Sequence, residues 1–172
     1  MNVVHLVDVL KLQRPGRRHV PSLAIEEVAT PGILSFYRYW DDLRGDRFAP
    51  SWRDVHLDDL DPKIVPYIVV CDVLHDPLRF LVRFWGTQHT ARKGADKTGK
   101  LIGAKPDFRG ATAMAEYAHV VEKRAPVASL DMVNLHNFGR MLPFEQALVR
   151  FPLSDDGVDV HNVISVAAWD ER

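Results

Sequence analysis

An α+β fold built on one antiparallel sheet is predicted by three features of this 172-residue sequence. Residues 67–74 and 78–86 are runs rich in β-branched and aromatic residues, separated only by the turn His75-Asp76-Pro77, and together they form a hairpin. Three further runs of this kind, 127–135, 141–153 and 158–169, follow later in the sequence. Ser154-Asp155-Asp156-Gly157 joins the last two, and its Asp-Gly step is a tight-turn signal. Outside these groups the apolar residues recur every three or four positions, the period of a helix. Strands in blocks, with helices gathered on one side of the sheet, define the class.

Composition narrows the possibilities. Apolar residues make up 47% and charged residues 26%, a mixture that folds around a core, and the length suits one domain. A formal net charge of −1 gives neither nucleic acid nor an anionic membrane an electrostatic hold. Cys71 is the only cysteine, so no disulfide framework or cysteine-rich metal site is expected. No stretch approaches the roughly 20 apolar residues that cross a bilayer. The apolar stretch 3–12 is broken by His5 and Asp8 and has neither a basic start nor a cleavage site, so it is not read as a signal peptide; a cytoplasmic location is expected.

Residues 1–30 read as an N-terminal extension to a domain of residues 31–172. The stretch 3–12 suits a short strand or a helix, and 13–19 is a basic, solvated connector. Thr30-Pro31-Gly32 opens a helix over 31–45, with Thr30 as N-cap and Pro31 in the first turn. Its residues Ile33, Phe36, Tyr37, Trp40 and Leu43 share one face, which must be buried against a sheet or a second subunit. Asp61-Pro62 starts a single helical turn ending before Pro66. Residues 87–105 suit short helices and loops, and their basic side chains (Arg92, Lys93, Lys97, Lys100, Lys105) lack the interleaved aromatics that stack on bases. A second long helix over 109–124 carries the stripe Met114, Tyr117, Ala118 and Val121, opposite Glu116, His119 and Lys123, until Ala125-Pro126 stops it.

Four stretches carry a resemblance. They are Tyr39-Trp40-Asp41-Asp42-Leu43-Arg44-Gly45-Asp46-Arg47-Phe48-Ala49-Pro50-Ser51, Leu60-Asp61-Pro62-Lys63-Ile64-Val65-Pro66-Tyr67-Ile68, Arg79-Phe80-Leu81-Val82-Arg83-Phe84-Trp85-Gly86-Thr87 followed by Thr98-Gly99-Lys100, and Phe144-Glu145-Gln146-Ala147-Leu148-Val149-Arg150-Phe151-Pro152-Leu153-Ser154-Asp155-Asp156-Gly157. In this order, and with the element sequence β-β-α-α-α-β-β-β, the chain resembles short stand-alone bacterial PAS-like proteins, mostly alphaproteobacterial. The resemblance covers about residues 33–169. It implies a PAS-like five-stranded antiparallel sheet, with helices on one face enclosing a pocket, and an N-terminal helical extension. It further implies a sensory or regulatory domain in signal transduction, with an unidentified small-molecule ligand, an unidentified signalling partner, and homodimers formed through the 31–45 helix. It supplies no shared catalytic set.

The expected pocket residues are Phe84, His89, Leu101, Met114, Tyr117, Val121, Met132 and Leu148, apolar positions with a few polar groups among them. A closed core is the alternative, which would make the chain a ligand-free interaction or dimerisation module. Haem and flavin are not expected. His119, the one histidine on the second long helix, points away from its apolar stripe at ~100° per residue, and Cys71 lies in a strand, as a small buried hydrophobe would. The acid-plus-histidine groups His56-Leu57-Asp58-Asp59, His75-Asp76 and Asp159-Val160-His161 lack the i, i+4 spacing of a helical zinc site, so no metal is assigned. No catalytic motif is present, and an enzyme is not expected. The enzyme alternative is a small α+β barrel hydrolase or isomerase working through Asp72 and His161.

Overall fold

A computed structural model describes residues 19–171 apart from Pro106. The apolar stretch 3–12 and most of the basic connector lie outside the described residues. The α+β class holds, and the five expected strands are present: β2 (Ile68–Leu74), β3 (Arg79–Trp85), β4 (Val127–Asn137), β5 (Arg140–Leu153) and β6 (Asn162–Glu171). A sixth, β1 (His19–Leu23), pairs with β4 at the sheet's edge. The order across the sheet is β1-β4-β5-β6-β2-β3, and every pairing is antiparallel.

The first correction concerns the N-terminal boundary. Residues 19–28 belong with the domain rather than with an N-terminal extension: β1 joins the sheet, and Leu23, Ile25 and Val28 pack into the core beside it. Short strands of this kind give too weak a periodic signal to separate them from a connector.

Helix α1 (Pro31–Arg44) forms where its caps dictate. The Thr30 hydroxyl accepts from the Ile33 N–H at 3.3 Å, and Gly45 closes the helix at φ 55°, with its own N–H on the Asp41 carbonyl. Ile33, Phe36 and Trp40 are buried against β5, β6 and β2, while Tyr37 and Leu43 are half-buried at the margin. Phe36 meets Phe151 edge-on at 4.9 Å between centroids, and the Trp40 indole N–H donates to the Pro152 carbonyl at 2.9 Å. The face expected to hold a dimer is therefore covered by the chain's own sheet.

Helices α2 (Thr87–Lys93) and α3 (Phe108–Lys123) lie on the opposite face. Helices thus cover both faces of the sheet rather than one, and two cores result. One joins α1 to Ile68, Val70, Val149, Phe151 and Ile164; the other joins α3 to Val69, Cys71, Val82, Val127 and Val163. Strand alternation explains the division, since neighbours such as Val69 and Val70 point to opposite faces.

Candidate functional site

The face under α2 and α3 holds most of the buried polar groups among the described residues, including His89, Thr112, Glu116, Gln146, Arg150 and Ser165. On α3, Thr112, Ala115, Glu116, Tyr117 and Val120 are buried, while Met114 and Val121 are half-buried. This corrects the expected stripe: Glu116 turns toward the sheet. Its carboxylate meets Arg150 of β5 at 2.6 Å, with 4% and 5% of the two side chains exposed. A carboxylate can occupy so dry a place because a guanidinium neutralises it there. His119, expected to face solvent, is half-buried beside Glu122, with its Nδ1 3.6 Å from the carboxylate.

Below α3 a short polar chain crosses the sheet. The Cys71 thiol donates to the Tyr117 hydroxyl at 3.5 Å, which shares a hydrogen with Ser165 Oγ at 3.1 Å. Burial pushes the thiol up to about 12, against smaller opposing effects of the Tyr117 contact and Arg150. Burial likewise raises the Tyr117 phenol. Both stay protonated at neutral pH, and Cys71 has no nucleophilic thiolate there.

Helix α2 begins at Gly86, where β3 passes so close to the preceding turn that an added Cβ would lie 2.2 Å from the Pro66 carbonyl oxygen. One turn later His89 is 2% exposed, wedged between the rings of Trp85 and Trp169 at 5.0 and 4.9 Å. Its Nε2 lies 3.0 Å from the Tyr67 carbonyl. A carbonyl only accepts, so Nε2 carries the hydrogen and Nδ1 holds a lone pair. Burial pushes this imidazole down to about 3, helped by the charge of Lys93. Lys93 is exposed, and crowding about its ammonium, followed by the charges of Lys97, Arg150 and Arg109, pushes it down.

Four enclosed atoms here find no hydrogen-bond partner among the described residues: Trp85 Nε1, His89 Nδ1, and Nε and Nη1 of Arg150. An enclosed polar atom left unpaired costs about 1–3 kcal/mol, so these four call for water or a ligand.

Of the expected pocket residues, His89, Tyr117 and Leu148 lie buried on this face, with Met114 and Val121 at its margin. Phe84 and Met132 do not. A register shift between Val70 and Cys71 leaves Phe84 opposite Val70, in the α1 core, and Met132 alternates with Asp131 to point the same way. Leu101 bridges to Leu81 along the outer edge of β3. Arg150 and Glu116 were missed, although the signal was present: Arg150 interrupts the otherwise apolar run 147–153, which alternation cannot place in water on either face.

The alternative pair is not assembled. Asp72 binds Arg83 and Asn162, each at 2.7 Å, whereas His161 engages Asp155 and Asp156. Among the described residues no three histidine, cysteine or carboxylate side chains come together as a metal site, and no helix is long and apolar enough to cross a membrane. An open cleft of ≈ 280 Å³ lies where β6 outruns β2, lined by Thr30, Lys63, Ile64, Tyr67, Ala168 and Trp169 among others, so that it shares Tyr67 and Trp169 with the surroundings of His89. Comparisons with protein-family models, with curated proteins and with solved structures find no match.

Proposed function

We propose that this chain is a PAS-type sensory domain that binds a small molecule between its sheet and helices α2 and α3, and passes occupancy to a partner or a second copy without catalysing a reaction. The element order supports this reading, and one observation carries it: four enclosed, unpartnered polar atoms on the covered face of a sheet whose other face is filled by hydrophobic packing. Such atoms suit reversible recognition, since a few polar groups among apolar walls orient a ligand. Native mass spectrometry of freshly purified protein tests the reading. The expected result is a reproducible excess mass that leaves on denaturation; the bare chain mass in every preparation would overturn it.

A second reading, an interaction module with a closed core, draws on a different observation. Phe138 is 99% exposed and Met141 53% exposed at the β4–β5 hairpin. Exposed apolar side chains at one tip favour a contact surface. This reading expects self-association, measured by light scattering, that Phe138→Ser with Met141→Ser removes.

A further inference from the structure

The turn of the β4–β5 hairpin fixes which way the backbone groups of this part of the sheet point. Phe138 and Gly139 both have positive φ, 45° and 76°, so the loop is two residues long and Asn137–Arg140 is a hydrogen-bonded pair. The register continues without a shift, so even-numbered residues of β5 bond to β4 and odd-numbered ones to β6. Glu145, Ala147 and Val149 lie opposite Asp170, Ala168 and Val166. The odd-numbered residues of β6 therefore turn their N–H and C=O groups to the far side. The Val73 N–H, which donates to the His161 carbonyl at 2.8 Å, has the same sense.

On that far side β2 stops early. Its last pair is Ile68–Val166, while the Tyr67 N–H donates to the Ile64 carbonyl and the Tyr67 carbonyl accepts from His89. Among the described residues no backbone group bonds to Ala167 or Trp169 there, although Ala167 is only 5% exposed. The cleft of ≈ 280 Å³ opens at this step, near the small end of ligand-pocket sizes. Its β6 wall offers two N–H and two C=O groups, repeated about 7 Å apart along the strand. An extended peptide matches that spacing with its own backbone. Ile64, Tyr67 and Ala168 supply apolar surface, and Lys63 is the one charged side chain among the lining residues.

We propose that this cleft docks an extended segment of a partner protein, added to β6 as a short strand opposite Ala167 and Trp169. An apolar side chain of that segment lies against Ile64 and Ala168, and a carboxylate side chain pairs with Lys63. The site is independent of whatever the α3 face binds.

The test is isothermal titration of the full chain with the acetylated, amidated peptide Thr-Val-Leu-Val-Glu, its lysine-ended counterpart, and two versions N-methylated on alternate residues. The glutamate peptide is expected to bind, and the lysine peptide up to about 5-fold more weakly, an order that Lys63→Glu reverses. Alternate N–H groups of a strand face opposite ways, so one methylated version should lose about 30-fold and the other much less. Ala167→Pro, checked by circular dichroism, should remove binding, because the ring takes the place of an outward N–H. Failure of both the glutamate and the lysine peptide to bind would overturn the proposal, as would equal loss from the two methylated versions. Hydrogen exchange of the chain alone tests for other occupants, and fast exchange is expected at the Ala167 and Trp169 amides. Slow exchange that depends on protein concentration would place a second copy in the cleft, and slow exchange that does not would place residues 3–12 there. Either result overturns a partner segment.

Discussion

Arg150 and Glu116 form an ion pair almost without water, each partner about one-twentieth exposed. The pair's stability lies in mutual neutralisation, so removing one member is worse than removing both. Arg150→Met should cost about 3–5 kcal/mol in urea unfolding, and adding Glu116→Leu should recover a large part of it. His89 behaves differently, because it is buried neutral. Its folded pKa of about 3 lies below its ordinary 6.5, so the unfolded chain binds the proton more readily. The stability it contributes is complete above pH 6.5 and is lost as pH falls toward 3. The stability gap between wild type and His89→Gln should therefore shrink on acidification over this window, by up to about 1.4 kcal/mol per pH unit. A gap independent of pH would contradict a neutral buried imidazole.

At the scale of elements, α1 shows how far sequence reaches. Its Thr30 cap, its end at Gly45 and its buried residues Ile33, Phe36 and Trp40 were legible from residue type and spacing, and each is realised. Its partner was not legible, since an aromatic stripe states that something covers it without saying what. The described contacts supply the answer in Phe151 and Pro152 of β5. Phe36→Ala, at a fully enclosed position, should destabilise the fold by about 3–5 kcal/mol through the cavity it leaves. Helix α3 shows the opposite case. Its stop before Ala125-Pro126 is legible, but its phase is not: Glu116, whose charge suggests solvent, turns to the sheet. Burial of a charge depends on a partner 34 positions away, and no local period encodes that.

Across the whole molecule, the strands were legible as runs and their pairing was not, because long-range order is set by which faces need covering. The same limit hid β1, and it placed Phe84 on the wrong side through one register shift. β5 and β6 run through the middle of the sheet, and residues such as Val149, Phe151 and Ile164 are closed off from water. Hydrogen exchange should accordingly be slowest in these strands and fastest at residues 138–141. Uniform exchange across β4 and β5 would contradict a sheet with a covered centre.

The hairpin of β4 and β5 continues past its neighbours. Among the described residues β1 pairs as far as Asp131 and β6 as far as Phe144, and the rows from Asn134–Pro143 outward pair only with each other. One side chain steadies this overhang: Arg92 donates to the His136 carbonyl at 3.2 Å and to the Asn137 side chain at 3.0 Å, and its guanidinium lies over the Phe144 ring. Arg92 is three residues after His89 on the same short helix, so one element carries both contacts. The free end that carries Phe138 is thereby tethered, through one guanidinium, to the helix that buries His89.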